Sequence, residues 1–469
     1  MHLLLPLRRS LTVLALVATA ATGAKAQLSQ CPADTLAFPS EISIPGELKL
    51  ICPVDRRANH PVIGSDDLLR HVVGLVDVTE VNNYNYYIIK AFDENAQHDP
   101  NDPGLPRFAI IGKENKYYLG IGGYVKATTS FDFGNPIPSA SYFTTADIPT
   151  NLEPGNGALW QMSAATSCLY FNFVGLPQSV NRFGVYLGFN FTGAHYAPKL
   201  QAAYVSYRNL VFGYKYTLFF DGPATPPTID HEGPCAAPAA VVMGGHIRWT
   251  RGPWSYAVGI EEPTLSATEG AQVTLVNQRV PAVPAFVQYS YADGDGSVRL
   301  SAIARMMQYR DLAANCNRGL TGWGVQLTGI APLFNNTLEL YYQGLYGQGI
   351  ADLVQDMSGL GLDLVPSLRR EGRMQLVPAW GATFGFGLHF SERCYSTHSY
   401  SQTRAYATRS LLANDGTDYR YAQYVANNLF FHLADNVRVG GEYLLGRLAT
   451  TDGRHHVDHR LQAMLQVYF

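Results

Sequence analysis

The sequence predicts an all-β fold, a 16-stranded antiparallel transmembrane β-barrel with a short irregular N-terminal periplasmic extension. Three observations predict it. Apolar and polar residues alternate with period two over most of the chain beyond residue 116, no run past residue 26 approaches the roughly 18 apolar residues of a membrane helix, and the chain ends on an apolar strand face closed by Phe469. In that ending Leu461, Ala463, Leu465, Val467 and Phe469 share one face, and the length suits the roughly 9–11 residues of a strand crossing a bilayer. An apolar strand edge at a chain end is sticky in water, but it is satisfied where the strand closes a barrel in lipid.

Residues 1–26 read as a signal peptide. Arg8 and Arg9 precede an apolar run from Leu11 to about Ala21, and Ala24-Lys25-Ala26 places small residues before a cut at Gln27. The apolar core is too short for a membrane span. Removing the three positive charges Arg8, Arg9 and Lys25 takes the formal net charge from −3 to −6, which argues against nucleic acid as a partner. Charged residues make up 15% of the chain, against about 25% in soluble domains. With 29 Tyr and 44 Gly, that deficit fits a lipid-facing wall girdled by tyrosine, with outer-membrane lipid and lipopolysaccharide as its surroundings.

Residues 27–116 differ in texture. Pro32, Pro39, Pro45, Pro53 and Pro61 interrupt them, a short helix is expected near Asp66–Asp77, and a turn-rich acidic stretch closes the segment, giving a periplasmic extension with little core of its own. Six cysteines allow 15 pairings; Cys31 with Cys52 is the pair expected here, followed by Cys235 with Cys316, beside an alternative of free thiols.

The barrel is expected over 117–469. Segments near 117–133, 160–173, 182–193, 199–208, 209–220, 240–250, 253–262, 284–293, 296–310, 320–330, 336–347, 374–391, 394–408, 420–432, 436–450 and 458–469 alternate in period two. The even number is what single-chain bacterial barrels require. Short connections such as Arg251-Gly252-Pro253 and Ser391-Glu392-Arg393 alternate with long ones near 134–159, 221–239, 263–283 and 348–373. Such asymmetry places both termini on the periplasmic side and the long loops outside.

The run Lys199-Leu200-Gln201-Ala202-Ala203-Tyr204-Val205 through Phe219-Phe220-Asp221-Gly222, then Pro227-Thr228-Ile229-Asp230 and Gly233-Pro234, resembles the DcaP-like porins. So do Gly122-Gly123-Tyr124-Val125-Lys126 with Asp132-Phe133, Gly347-Gln348-Gly349-Ile350, and the ending from Asn428-Leu429-Phe430 to Tyr468-Phe469. The resemblance implies a homotrimer of barrels, an extracellular loop folded inward, and a lumen for small anionic solutes such as dicarboxylates. It also implies an N-terminal coiled coil and lumen arginines. Residues 27–116 show no sustained heptads, however, and Ser167-Cys168 and Gln201 stand where the family tends to place those arginines.

Extending the alternation puts Lys126, Lys215, Arg248, Arg299, Arg305 and Arg438 on the water-facing side with Glu442, a surplus of cations that would favour anions in a narrow, low-dielectric passage. The alternative is that each is a solvated residue paired with a carboxylate across the wall. The proline-rich loop 221–238, carrying Thr228, Asp230, His231 and Glu232, is the expected constriction, since proline pre-sets its backbone. Neither a cofactor nor an enzymatic activity is expected. His455, His456 and His459 lack a metalloprotease pattern, Ala304 stands where a calcium loop beginning at Asp293 needs its bidentate Glu, and no G-x-S-x-G elbow occurs. The competing readings are a barrel that works through its outer loops as an adhesin, and a hydrolase built on the barrel wall.

Overall fold

A computed structural model describes residues 42–43, 49–51, 90–96, 104–106, 108–111, 116–177, 179–407, 419–434 and 436–469. The signal segment, the helix expected near 66–77 and the pair Cys31 and Cys52 lie outside the described residues. No described helix is long and apolar enough to cross a membrane.

Sixteen antiparallel strands close into a barrel. They are β1 (Tyr117–Gly134), β2 (Ala158–Ser163 with Cys168–Gly175), β3 (Phe183–Asn190), β4 (Lys199–Tyr207), β5 (Leu210–Tyr216), β6 (Val241–Arg251), β7 (Trp254–Glu261) and β8 (Val283–Tyr291). The second half comprises β9 (Gly296–Asp311), β10 (Cys316–Leu333), β11 (Leu338–Gln348), β12 (Pro378–Ser391), β13 (Cys394–Ala405), β14 (Tyr419–Ala434), β15 (Val437–Thr450) and β16 (His455–Tyr468). Each strand pairs with its successor, and β16 returns to β1 in a register running from Asp458 opposite Gly134 to Tyr468 opposite Tyr124. Closure leaves no free edge along this seam, which is what lipid demands of a sheet.

Phe469 completes the seam by exchanging two backbone hydrogen bonds with Gly123, at 3.1 and 3.2 Å. Deleting Phe469 removes both bonds at the point where the last strand must find the first. A several-fold lower yield of the heat-modifiable folded form is expected on refolding, read as band mobility with and without boiling.

Alternation sets the two faces. Ile247, Val258, Leu300, Val325 and Leu327 point outward and are exposed, while Ser301, Gln326 and Thr328 on the same or adjoining strands point inward and are buried. On one rim the connections are tight, as at Arg251-Gly252-Pro253, where Gly252 takes a φ of 58° that a side chain would disfavour. The other rim carries the long connections 135–157, 217–240, 262–282 and 349–377, together with short turns at 312–315 and 451–454, so long and short connections do not alternate strictly.

The structure differs from the sequence reading in three places, each for a local reason. Segment 209–220 stops being a strand at Tyr216, because Glu261 accepts from the Thr217 hydroxyl (2.7 Å) and the Leu218 amide (2.6 Å) and turns the chain into the lumen. Met374–Leu376 leaves the wall to pair with Leu364–Pro366 in a loop hairpin. The second strand is broken at 164–167, where the Ser167 hydroxyl donates to the Ala164 carbonyl (2.8 Å) and accepts from the Lys126 amide (3.0 Å), bridging the gap to β1.

Part of the N-terminal extension sits inside the barrel wall. Residues 90–96 form a helical turn whose Phe92 packs on the inward Tyr118, ring centroids 6.2 Å apart. Asn95 donates to Asn172 on β2 (2.7 Å), and its carbonyl accepts from Tyr204 on β4 (2.9 Å). Tyr170 donates to the Gly104 carbonyl at 2.6 Å. Strand Phe108–Ile111 then pairs with β1 at Tyr118–Ile121. The inward faces of Tyr170, Tyr186 and Tyr204 are covered by this segment and stack in a ladder with 5.5 and 5.2 Å between centroids.

Candidate functional site: a lumen narrowed by an inward loop

Loop 217–240 leaves the wall between β5 and β6 and crosses to the strands on the far side. Its approach is close enough that a Cβ on Gly385 of β12 would meet Pro226 at 2.7 Å, and one on Gly381 would meet Ala236 at 2.8 Å. Those two glycines let the loop lie flat on the inner wall.

The tip is held by charge-assisted bonds, which run roughly twice the strength of neutral ones. Glu442 on β15 accepts from the backbone amides of Ile229 (2.9 Å) and Asp230 (3.0 Å), and from Asn428 and Gln462. Lys126 on β1 donates to the Ile229 carbonyl at 2.7 Å. Asp230 in turn accepts from the amides of Phe143 and Gly233 and from the Tyr424 hydroxyl, tying the tip to loop 135–157 and to β14. Thr228 donates to the Asp230 carbonyl at 2.8 Å and shapes the tip from within.

The loop roots are fixed in the same manner. Arg299 donates to the Leu218 carbonyl, lies 3.7 Å from Asp221 and sits over the Phe286 ring at 3.8 Å. Arg305 reaches the Gly349 carbonyl (2.6 Å) and Asp363 (3.2 Å), pinning loop 349–377. Arg460 forms a bidentate pair with Asp132 at 2.6 and 2.7 Å and donates to the Ser139 carbonyl of loop 135–157. Arg438 donates to Tyr395 and Gln466 and faces Phe430 at 5.0 Å.

The lumen residues therefore divide. Lys126, Arg299, Arg305, Arg438 and Glu442 hold loops or wall tyrosines, and Asp221 and Glu261 serve the loop root. On the open side, Lys215 lies over Tyr204 at 5.3 Å, and Lys215, Arg248 and Arg299 are all within electrostatic reach of His246. Arg248 and Lys199 are exposed. The sequence does not disclose this division, because many of the partners, such as the Ile229, Leu218 and Gly349 carbonyls and Asp363, are brought in from distant loops.

Carboxylates gather where loops meet. Asp356 of loop 349–377 accepts from Thr145 (2.6 Å), the Ala146 amide (2.9 Å) and Tyr419 (2.9 Å), and burial pushes its carboxyl up to about 6. Burial, with Asp230 beside it, pushes Glu232 up to about 8, whereas burial close to Lys126 and Lys199 pulls His231 down to about 3. An acid whose folded value is raised stabilises its site fully below its ordinary pKa and loses that stability as pH rises toward the folded value. The interlock of the three loops is thus expected to be tightest near pH 4 and to loosen up to about pH 8. Open-channel noise should be greater at pH 8.5 than at pH 5, and Glu232→Gln should flatten that dependence.

Cys235, Cys316 and Cys394 form no disulfide among the described residues. Cys235 and Cys316 do not pair: Cys235 is buried in the inward loop 3.4 Å from the Ser401 hydroxyl, whereas Cys316 opens β10 on the wall. No group of three or more potential metal ligands occurs among the described residues.

A closed barrel of sixteen strands with long loops on one rim and one of them folded into the lumen defines the porin class of fold. The chain is similar to the outer membrane channel DcaP of Acinetobacter baumannii, with a TM-score of 0.64 at 16% identity over 76% of this chain and 99% of that one. An anion-selective porin from Comamonas acidovorans aligns over 75% of this chain and all of its own length, at 9% identity and a TM-score of 0.47. No family model and no curated protein matches the sequence. At such identity the likeness to DcaP is one of fold, and it covers the barrel as a whole.

Proposed function

We propose that the protein is an outer-membrane porin of the DcaP-like kind, exported with removal of residues 1–26. In this reading it assembles as a homotrimer and passes small anionic solutes, carboxylates among them, by diffusion and without catalysis. The observation that carries this reading is the division of charge in the lumen. Carboxylates that would repel an anion are occupied in holding loop amides and hydroxyls, while Lys215 and Arg248 stand on the open side around His246 and Lys199 is exposed near His231. A cationic lining in a low-dielectric passage raises the local anion concentration. With Cys168 and Gln201 at positions where the family tends to place arginine, the preference is milder than the resemblance alone implies. Reconstitution into a planar bilayer with a potassium chloride gradient tests it. Discrete conductance steps with a reversal potential of the sign set by chloride are expected, and absence of conductance would overturn the proposal.

A further inference from the structure

Ser396, His398 and Asn427 stand together on the outward face of the wall. Ser396 and His398 are two residues apart on β13 and so share a face, and Asn427 of β14 is directly opposite His398 in the register. The Ser396 hydroxyl lies 3.3 Å from His398 Nε2, and His398 Nδ1 lies 2.8 Å from the Asn427 side-chain oxygen. That oxygen can only accept, so Nδ1 carries the hydrogen and Nε2 keeps the lone pair that receives the serine proton. Phe386 of β12, opposite His398 on the other side, stacks on the imidazole with 4.9 Å between ring centroids and holds its plane. A hydroxyl bonded to a base, with the base oriented by a third group, is the geometry of an activated serine, which is recognised by roles and not by order in the chain.

Lipid surrounds this site. Leu429, opposite Ser396, and Tyr400, two residues beyond His398, are both exposed on the same outer face. An ionisable side chain on such a face is costly and marks a functional site. Ser396 is three residues from Arg393 in the exposed charged turn, about 10 Å along the strand. A strand tilt of about 35–45° turns that into roughly 7–8 Å of depth. The site therefore lies just below the polar head groups, at the level where the ester carbonyls of a phospholipid enter the hydrocarbon. His398 and Asn427 also line one end of a groove of about 570 Å³ that continues along the wall past Leu429, Gly441 and Leu461. Its shape and lining suit a fatty acyl chain.

We propose that Ser396, His398 and Asn427 form an acyl-transfer site that takes the ester of a membrane phospholipid, with Ser396 and His398 as catalytic residues and Asn427 as the positioning residue. The Ser396 oxygen bonds to the ester carbonyl carbon while its proton passes to His398 Nε2. The bond from that carbon to the glycerol oxygen breaks, and the glycerol oxygen leaves with the proton as a lysophospholipid. Water then adds to the acyl-serine and gives one proton to Nε2, which returns it to the Ser396 oxygen as the fatty acid departs. Leu388 and Leu429 stand opposite Ser396 on the two flanking strands, and Ser396 is 5% exposed, so little water reaches the nucleophile before lipid is bound. This chemistry is on the far face of the wall from the lumen, so passage of solutes stays uncatalysed and the inference does not rest on conductance.

The test treats the full chain, folded in detergent micelles, with a fluorophosphonate, whose phosphorus stands in for the ester carbonyl carbon and reacts with base-activated serines. Labelling is expected at Ser396, located by peptide mass, and His398→Ala should slow it by about a hundredfold or more, the share of a general base. Asn427→Ala should slow labelling by at least about tenfold, and Asn427→Asp, which keeps an acceptor at Nδ1, should restore it. That rescue is not expected if Asn427 merely fills the wall. In vesicles of phosphatidylethanolamine the wild-type chain should release fatty acid and lysophospholipid and Ser396→Ala should release neither, while each variant keeps the heat-modifiable mobility of the folded barrel. Release that persists in Ser396→Ala, or labelling indifferent to His398, would overturn the proposal. So would a folded wild-type chain that neither labels nor releases fatty acid, and if that chain still conducts, the pore reading stands without this one.

Discussion

Glu442→Ala is expected to enlarge the pore and make it noisy without opening the barrel. In the wild-type chain this carboxylate receives the Ile229 and Asp230 amides at 2.9 and 3.0 Å, inside a wall with little water. Removing it orphans two buried backbone donors, each at about 1–3 kcal/mol, a total on the order of 2–6 kcal/mol. The tip is the only party that can respond, since β15 is fixed on both sides by its neighbours. Its remaining ties include the Lys126 bond to the Ile229 carbonyl, the bonds from Asn428 to the Pro227 carbonyl and from Gln355 to the Glu232 carbonyl, and the Asp230 contacts with Phe143, Gly233 and Tyr424. The tip should therefore sample positions away from the wall. Single-channel conductance should change by a readily measured factor with frequent sublevels, and Glu442→Ala with Lys126→Met should exaggerate the effect. An unchanged, quiet conductance in the double variant would show that the loop is held by its packing against Gly381 and Gly385 instead.

How much of this arrangement the sequence discloses depends on the length over which each interaction acts. Period-two alternation is local, and all sixteen wall strands follow from it, including the long β9 and β10. The inward loop is legible too, since Pro223, Pro226, Pro227 and Pro234 mark a segment with a pre-set backbone. What alternation cannot show is what an inward side chain touches. Lys126 and Arg248 occupy equivalent inward positions, yet one meets the Ile229 carbonyl from 103 residues away and the other is exposed.

Loop-to-wall partners of that kind are fixed by closure of the barrel, not by neighbours in the chain. The same holds for Cys235, which appears in the sequence as one of two loop cysteines and in the fold as a buried thiol against Ser401. The N-terminal segment shows the opposite case. Phe92 and Asn95 carry no periodic signal, and their place is decided by Tyr118, Asn172 and Tyr204, residues that face the lumen whether or not anything covers them.

Lys215→Gln with Arg248→Gln is the substitution expected to move selectivity furthest. Both side chains are on the open side of the lumen, on the adjacent strands β5 and β6, and neither anchors a loop in the way that Lys126, Arg299 and Arg305 do. Neutralising them removes two charges from the electrostatic surroundings of His246 and leaves Asp221 and Glu261 near the same stretch. Two unit charges interact over about 8–10 Å at physiological salt, and over about 30 Å at 0.01 M. The loss of chloride preference should consequently be several-fold larger at low salt than at high salt. The pair should lose that preference, or invert it toward potassium, while folding yield and heat-modifiability stay at the wild-type level, since lumen positions tune selectivity and lipid-facing ones set stability. Arg305→Gln is the informative contrast: it releases the Gly349 carbonyl and Asp363, so it should raise noise and lower stability before it alters selectivity. A double variant with unchanged reversal potential at 0.01 M salt would place the selecting charges elsewhere, on the loop rim or at Lys199.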